Sequence, residues 1–159
     1  MTRKTGVADG VEVSYLIGTF VSDHLLRAYR LFDGDLTAAV VLANVAHHNV
    51  QRYYDEIGSK APEGFDALVA ADAHRGSLRH CNTHSLSEAT GIPRETVRRK
   101  VRLLEARGLL TVGERGELTV APRVAKRFAE FDAETARRFE VCARRVLAVI
   151  DRRAGEDGS

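Results

Sequence analysis

Between Ser85 and Val120 the chain reads SLSEATGIPRETVRRKVRLLEARGLLTVGERGELTV, a run that leaves little choice of local structure. Ser85 is the expected N-cap of a short helix, with Glu88 three residues on as its capping-box partner. Gly91 ends that helix, because glycine takes the left-handed conformation without a Cβ clash. Pro93 starts the next, where its missing N–H would have had no partner anyway. The second helix is predicted to run to Arg107, with Gly108 as its stop. Val97, Val101 and Leu104 fall at i, i+4 and i+7, so one stripe is apolar. Glu95, Arg98, Arg99 and Arg102 fall on the other side. Leu109–Val112 and Glu117–Val120 alternate as two short strands, and Gly113-Glu114-Arg115-Gly116 suits the loop of a hairpin.

Charge is concentrated in the second helix. Ile92 to Arg107 holds Arg94, Arg98, Arg99, Lys100, Arg102 and Arg107 against Glu95 and Glu105, whereas the 159-residue chain carries a net charge of only +2. A charged helix face is often no more than a solvated face. Here the turn, the hairpin and the charge agree, which is the footprint of a nucleic-acid reader.

These residues resemble the winged helix-turn-helix of bacterial transcription regulators. The RETV-x-R run is similar to the recognition helix of the cyclic AMP receptor protein family, over about a quarter of the chain. The resemblance implies base-reading roles for Arg94, Glu95 and Arg99, and places Thr96 near the DNA backbone. Arg98 stands where a small residue is common in that family. Nothing before Ser85 looks like the family's strand-rich cyclic-nucleotide domain, so only the DNA-binding part is implied.

Length and composition set outer bounds. A chain of 159 residues, 44% hydrophobic and 29% charged, suits one soluble globular domain with an apolar core. Its pI near 8.7 permits a nucleic-acid partner without requiring one. Cys81 and Cys142 form no spacing pattern, which argues against a disulfide framework and for a reducing cytoplasm. No apolar run follows Arg3 and Lys4, so no secretory signal is expected. Leu36–Ala46 is too short to cross a bilayer, and no membrane association is expected.

In chain order, residues 1–10 are expected to fray. Val11–Phe32 is predicted as a helix with a wide apolar stripe through Val13, Leu16, Ile17, Phe20, Leu25, Ala28, Leu31 and Phe32. Asp33-Gly34-Asp35 is a turn, and Asp35 can cap the next helix. That helix, Leu36 to about Tyr54, is apolar nearly all round through Ala46 and is expected to be central. Asp55–Gly64 reads as a loop and Phe65–His74 as a short helix. Leu78–Cys81 is a candidate strand to pair with the hairpin. Pro122 opens a last helix to Arg153, about 48 Å long. Its stripe, Phe128, Phe131, Thr135, Phe139, Cys142, Val146 and Val149, exceeds what so small a domain can cover. A partner subunit would bury it. Long helices flanking a winged core also resemble the MarR-type regulators in layout, whose terminal helices form the dimer.

Other chemistry finds less footing. His80, Cys81 and His84 are close in sequence, yet their spacing matches no standard zinc pattern, so no metal or cofactor is expected. His47, His48 and Asn44 read as satisfied polar groups of a buried helix; the alternative is that they line an effector pocket. There is no phosphate-binding glycine loop, no G-x-S-x-G elbow and no paired-carboxylate frame, so an enzyme is not expected.

The resulting expectation is a mainly α protein, a winged helix-turn-helix with long flanking N- and C-terminal helices. Residues 11–80 form an N-terminal helical region, 81–121 the DNA-binding region and 122–153 a dimerisation helix. It would bind double-stranded DNA as a cytoplasmic homodimer. Base contacts are expected from Arg94, Glu95, Arg98 and Arg99, and phosphate contacts from Thr83, Ser85, Lys100, Arg102 and Arg115. The rival is a winged-helix module that binds a protein with the same face.

Overall fold

The structure, a computed structural model, describes residues 3–57 and 81–157. It is mainly helical: α1 (Arg3–Leu31), α2 (Leu36–Ile57), α3 (Thr83–Thr90), α4 (Arg94–Ala106) and α5 (Arg123–Asp157), with strands β1 (Leu110–Val112) and β2 (Leu118–Val120) between α4 and α5. Among the described residues no helix is long and apolar enough to cross a membrane. Two compact units emerge, one of Met1–Asp33 with Phe128–Ser159 and one of Gly34–Arg127.

The second unit is built around α2, which packs against α3, α4 and β2. Ala38, Val41, Leu42 and Val45 are buried along it, at the i, i+3, i+4 and i+7 spacing of a single helix face. The helix is therefore one-sided and not buried all round: Val40, Ala43 and His47 are exposed. Asn44, expected as a buried polar group, instead donates to the Val40 carbonyl of its own helix, 2.9 Å. Asp35 caps α2 as expected, its Oδ1 accepting from the Ala38 N–H at 3.0 Å. The helix also continues through Asp55–Ile57, where a loop was expected. The rest of that loop, the helix Phe65–His74 and residues 78–80 of the candidate strand lie outside the described residues.

β1 and β2 form an antiparallel pair with Leu110 opposite Val120 and Val112 opposite Leu118. Each is one residue shorter than expected, although the Leu109 carbonyl still accepts from the Ala121 N–H at 3.0 Å and the Glu117 carbonyl from the Gly113 N–H at 2.8 Å. A two-stranded sheet leaves backbone groups on its outer edges to satisfy. Two residues do this for β2. The Cys81 carbonyl accepts from the Leu118 N–H at 2.8 Å, so the last residue of the candidate strand does pair with the hairpin. The Asn49 amide then acts as a surrogate strand: its Nδ2 donates to the Leu118 carbonyl at 3.2 Å and its Oδ1 accepts from the Val120 N–H at 3.0 Å. Asn49 is buried in an otherwise apolar helix face.

The first unit pairs α1 with α5. α1 begins at Arg3, earlier than expected, because a lone glycine inside a helix costs only about 1 kcal/mol against alanine and does not end it. The aromatic stripe of α5 is taken up by α1 in register. Phe128 stacks on Phe32, Phe131 faces His24, and Phe139 meets Phe20 edge to face, with centroids 5.7, 5.3 and 5.6 Å apart. Further along, the Cys142 thiol approaches the Leu16 carbonyl and Arg152 pairs with Glu12 at 2.8 Å. The stripe read from sequence as surplus is therefore covered in part within one protomer: Val149 is buried, most of the rest is half-buried, and Phe139 stays exposed.

Asn49→Leu keeps the volume but leaves a buried N–H and a buried carbonyl of β2 without their side-chain partner. We expect a loss of about 2–4 kcal/mol in urea unfolding, with secondary structure retained in the native state. Stability equal to wild type would show that water or neighbouring groups satisfy β2 instead.

Candidate nucleic-acid interface

The interface begins with a cap that differs from the expected one. Asn82, and not Ser85, is the N-cap of α3: its Oδ1 accepts from the His84 and Ser85 N–H groups at 2.9 and 3.0 Å. Ser85 is the box partner, its Oγ accepting from the Asn82 N–H at 3.0 Å. Two overlapping boxes were available in sequence, Asn82-x-x-Ser85 and Ser85-x-x-Glu88. The upstream box wins because it adds nearly a turn to α3 and satisfies its own N–H groups on both sides.

The turn into α4 is held by side chains. Gly91 is left-handed at φ 69° and donates to the Ser87 carbonyl at 2.9 Å. Ser87 Oγ donates to the Ile92 carbonyl at 2.7 Å, and Thr90 Oγ1 accepts from the Ile92 N–H at 3.3 Å. Pro93 sits one position before the first helical residue, and its carbonyl accepts from the Val97 N–H at 3.0 Å.

α4 is amphipathic in the expected sense. Val97, Val101 and Leu104 are buried, while Arg94, Glu95, Arg98, Arg99 and Arg102 are exposed. Four guanidinium groups thus share the solvent side with two carboxylates, Glu95 and, near the C-terminal end, Glu105. Arg98 Nη1 meets Glu95 Oε1 at 2.9 Å across one helical turn, an exposed contact worth well under about 1 kcal/mol and easily exchanged. Thr96 is half-buried at the margin of this face.

Lys100 does not join it. Its Nζ lies 2.6 Å from Asp35 Oδ2, with side chains only 16% and 21% exposed. Burial pushes the Asp35 carboxyl up, but the hydrogen bonds from Lys100 and the Ala38 N–H and the charges of Lys100 and Arg107 outweigh it. The group stays below its ordinary 3.8. Lys100 is therefore an anchor that ties α4 to the cap of α2, a correction to its expected place among the phosphate contacts. Helical spacing could not reveal this, because Lys100 lies at the boundary of the two faces, where partner and solvent compete for a long side chain.

The remaining expected contacts are distributed around α4. Thr83 is the first residue of α3 and Ser85 is engaged in the box, both half-buried. Arg115 is exposed at the hairpin tip, where its N–H donates to Glu117 Oε2 at 3.0 Å and Gly116 turns the loop at φ 81°. Arg123 went unnoticed in the sequence. Its Nε donates to the Gly108 carbonyl at 2.7 Å and its Nη2 to that of Arg107 at 3.3 Å, closing the C-terminal end of α4. Gly108 stands at φ 63°, and a Cβ there would run into the Arg123 guanidinium, so the position admits only glycine without rearrangement. An arginine in the first turn of a helix opposes the helix dipole, which was the one available hint that it serves elsewhere.

The metal alternative finds little to stand on. Cys81 is buried, and that burial pushes its thiol up to about 11. His84 is exposed beside Glu88 at 3.4 Å, and His80 lies outside the described residues. Among the described residues no group of three His, Cys, Asp or Glu could hold an ion.

Lys100→Met should lower stability by about 1–2 kcal/mol at neutral pH. The depressed Asp35 carboxyl contributes stability that is complete above its unfolded value of about 3.8 and is lost as pH falls through its lower folded value. The variant should lose part of that acid-side decline, measured by denaturant unfolding down the acid range. Parallel curves for variant and wild type would remove the pair from the account. In comparisons with protein-family models, curated proteins and solved structures nothing matches this chain, so the functional reading rests on the basic face itself.

Proposed function

We propose that this chain is a winged helix-turn-helix protein that binds double-stranded DNA as a cytoplasmic homodimer and regulates transcription, with α4 as its recognition helix. The observation that carries the reading is the set of four exposed guanidinium groups, Arg94, Arg98, Arg99 and Arg102, on a helix whose opposite side is buried. Arginine pairs bidentately with guanine O6 and N7, and Glu95 can accept from cytosine N4, so each half-site should contain G·C pairs. Arg98 would exchange its exposed contact with Glu95 for a base edge at little cost. Arg102 and Arg115 would supply phosphate contacts, with Thr83 and Ser85 beside them, and Lys100 would act only by holding α4 in place. A two-fold dimer presents this face twice, and its operator is an inverted repeat.

Selection of bound duplexes from a random pool, followed by titration across a range of salt, tests the reading. Affinity should fall steeply with salt, as counterions are displaced from phosphates. No duplex binding at low salt would overturn it and leave the face to an acidic protein partner.

Two sets of variants locate the contacts. Arg99→Ala and Glu95→Ala should each relax discrimination at one base pair by about 1–3 kcal/mol with the fold intact. Retention of full sequence preference by both would mean that α4 does not enter the groove. Arg115→Gln should weaken all duplexes alike and lower the salt slope by about one. A loss confined to some sequences would instead make the hairpin a reader of groove width.

A further inference from the structure

With α5 seated, α1 still presents an apolar seam to solvent. Val11, Tyr15, Gly18, Ser22, Leu25 and Tyr29 step by four, three, four, three and four residues, the spacing that keeps a seam on one side of a helix. All six are exposed: Val11 is 65%, Tyr15 69%, Leu25 47% and Tyr29 51% accessible, and Gly18 and Ser22 are exposed between them. A Cβ at Gly18 would meet nothing within 4 Å.

The seam carries no charge. Glu12, Asp23 and Arg27 are turned to the other side, where they pair with Arg152, Arg138 and Thr135 of α5. Arg30 follows Tyr29 and so points about 100° round the helix from it. Val21 and Leu26, 44% and 53% accessible, flank it and widen the open face. A contiguous exposed apolar face of this kind marks an interaction surface.

The order of side-chain sizes identifies the occupant. Bulky residues stand at both ends and small ones in the middle. Laid antiparallel on a second copy about a two-fold axis, the seam matches itself: Val11 against Tyr29, Tyr15 against Leu25, Gly18 against Ser22. The small pair lets the two backbones come close at the crossing, while the bulky pairs fill the space where the helices diverge. A parallel pairing would set Gly18 against Gly18 and Tyr15 against Tyr15, opening a gap beside a crowd.

We propose that α1 is the dimer seam of this protein, pairing antiparallel with α1 of a second copy about a two-fold axis at the level between Gly18 and Ser22. The inference rests on the homodimer reading and is independent of what α4 binds. It places the interface on α1, the first of the two terminal helices expected to form the dimer.

Sedimentation of the full chain with Tyr15→Lys, Leu25→Glu and the double variant tests the seam. Each single variant buries an unmatched charge and should weaken the dimer by at least about tenfold. The double variant sets opposite charges across the antiparallel pair and should recover most of the affinity. Failure of the double to recover would overturn the antiparallel register. Single variants that dimerise like wild type would overturn the seam while leaving the homodimer in place, and a monomeric wild type at micromolar concentration would overturn both. Circular dichroism completes the test. These side chains are exposed in the protomer, so helicity should be unchanged, and a variant that unfolds would contradict a face used only between protomers. DNA binding by a wild type whose seam fails this test would leave the reading of α4 untouched.

Discussion

The packing of α4 on α2 is the contact on which the unit carrying the basic face depends. Val97, Val101 and Leu104 are buried on one helix, and Ala38, Val41, Leu42 and Val45 on the other. Burial of each larger side chain contributes about 1.5–3 kcal/mol. That apolar contact is non-directional and would tolerate some rotation of α4. The Asp35 carboxylate removes the freedom, because one oxygen caps α2 and the other receives Lys100 from α4. A single side chain thus sets where α2 starts and which way α4 presents its arginines.

The hairpin depends on α2 by a different route. Three-residue strands have too few hydrogen bonds to stand alone. Asn49 and Cys81 finish the edge of β2, and Leu110 and Leu118 are buried beneath it. Arg123 adds a tie at the other end, closing the last turn of α4 where the chain swings into β1. Each of these ties uses one side chain to satisfy backbone groups that a larger sheet or a longer helix would have satisfied by itself. The basic face is consequently carried on a small unit held by few, specific polar contacts.

The helix pair α1–α5 obeys a simpler logic. Its inner side mixes aromatic contacts with charged ones, such as Arg27 over the Phe131 ring at 4.8 Å and Arg138 with Asp23 at 2.9 Å. The seam on its outer side, from Val11 to Tyr29 of α1, carries no charge and is exposed to solvent. An uncharged apolar seam left open on one helix is a poor arrangement for an isolated helix pair and a reasonable one for half of a larger bundle.

What was legible in the sequence was whatever depends on neighbours along the chain. The short helix, the left-handed Gly91, the one-sided apolar stripe of α4, the cap at Asp35 and the hairpin all follow from backbone conformations and periodicities within a few residues. The exposed arginines were legible for the same reason, since the side of a helix opposite its apolar stripe faces solvent. What only the tertiary structure decided were the choices between near-equal local options and the long polar reaches. Asn82 and Ser85 were both good caps, and the outcome depended on how much of α3 could be completed. Lys100 looked like its arginine neighbours until Asp35, 65 residues away in sequence, came within 2.6 Å. Asn49 and Arg123 satisfy backbone groups 69 and 15 residues distant, and no local pattern marks an acceptor that folding alone brings near. The stripe of α5 was correctly seen to need a cover, but periodicity gives a face and not its occupant. Only the packed pair assigns that occupant to α1 and leaves the open seam on the helix that did the covering.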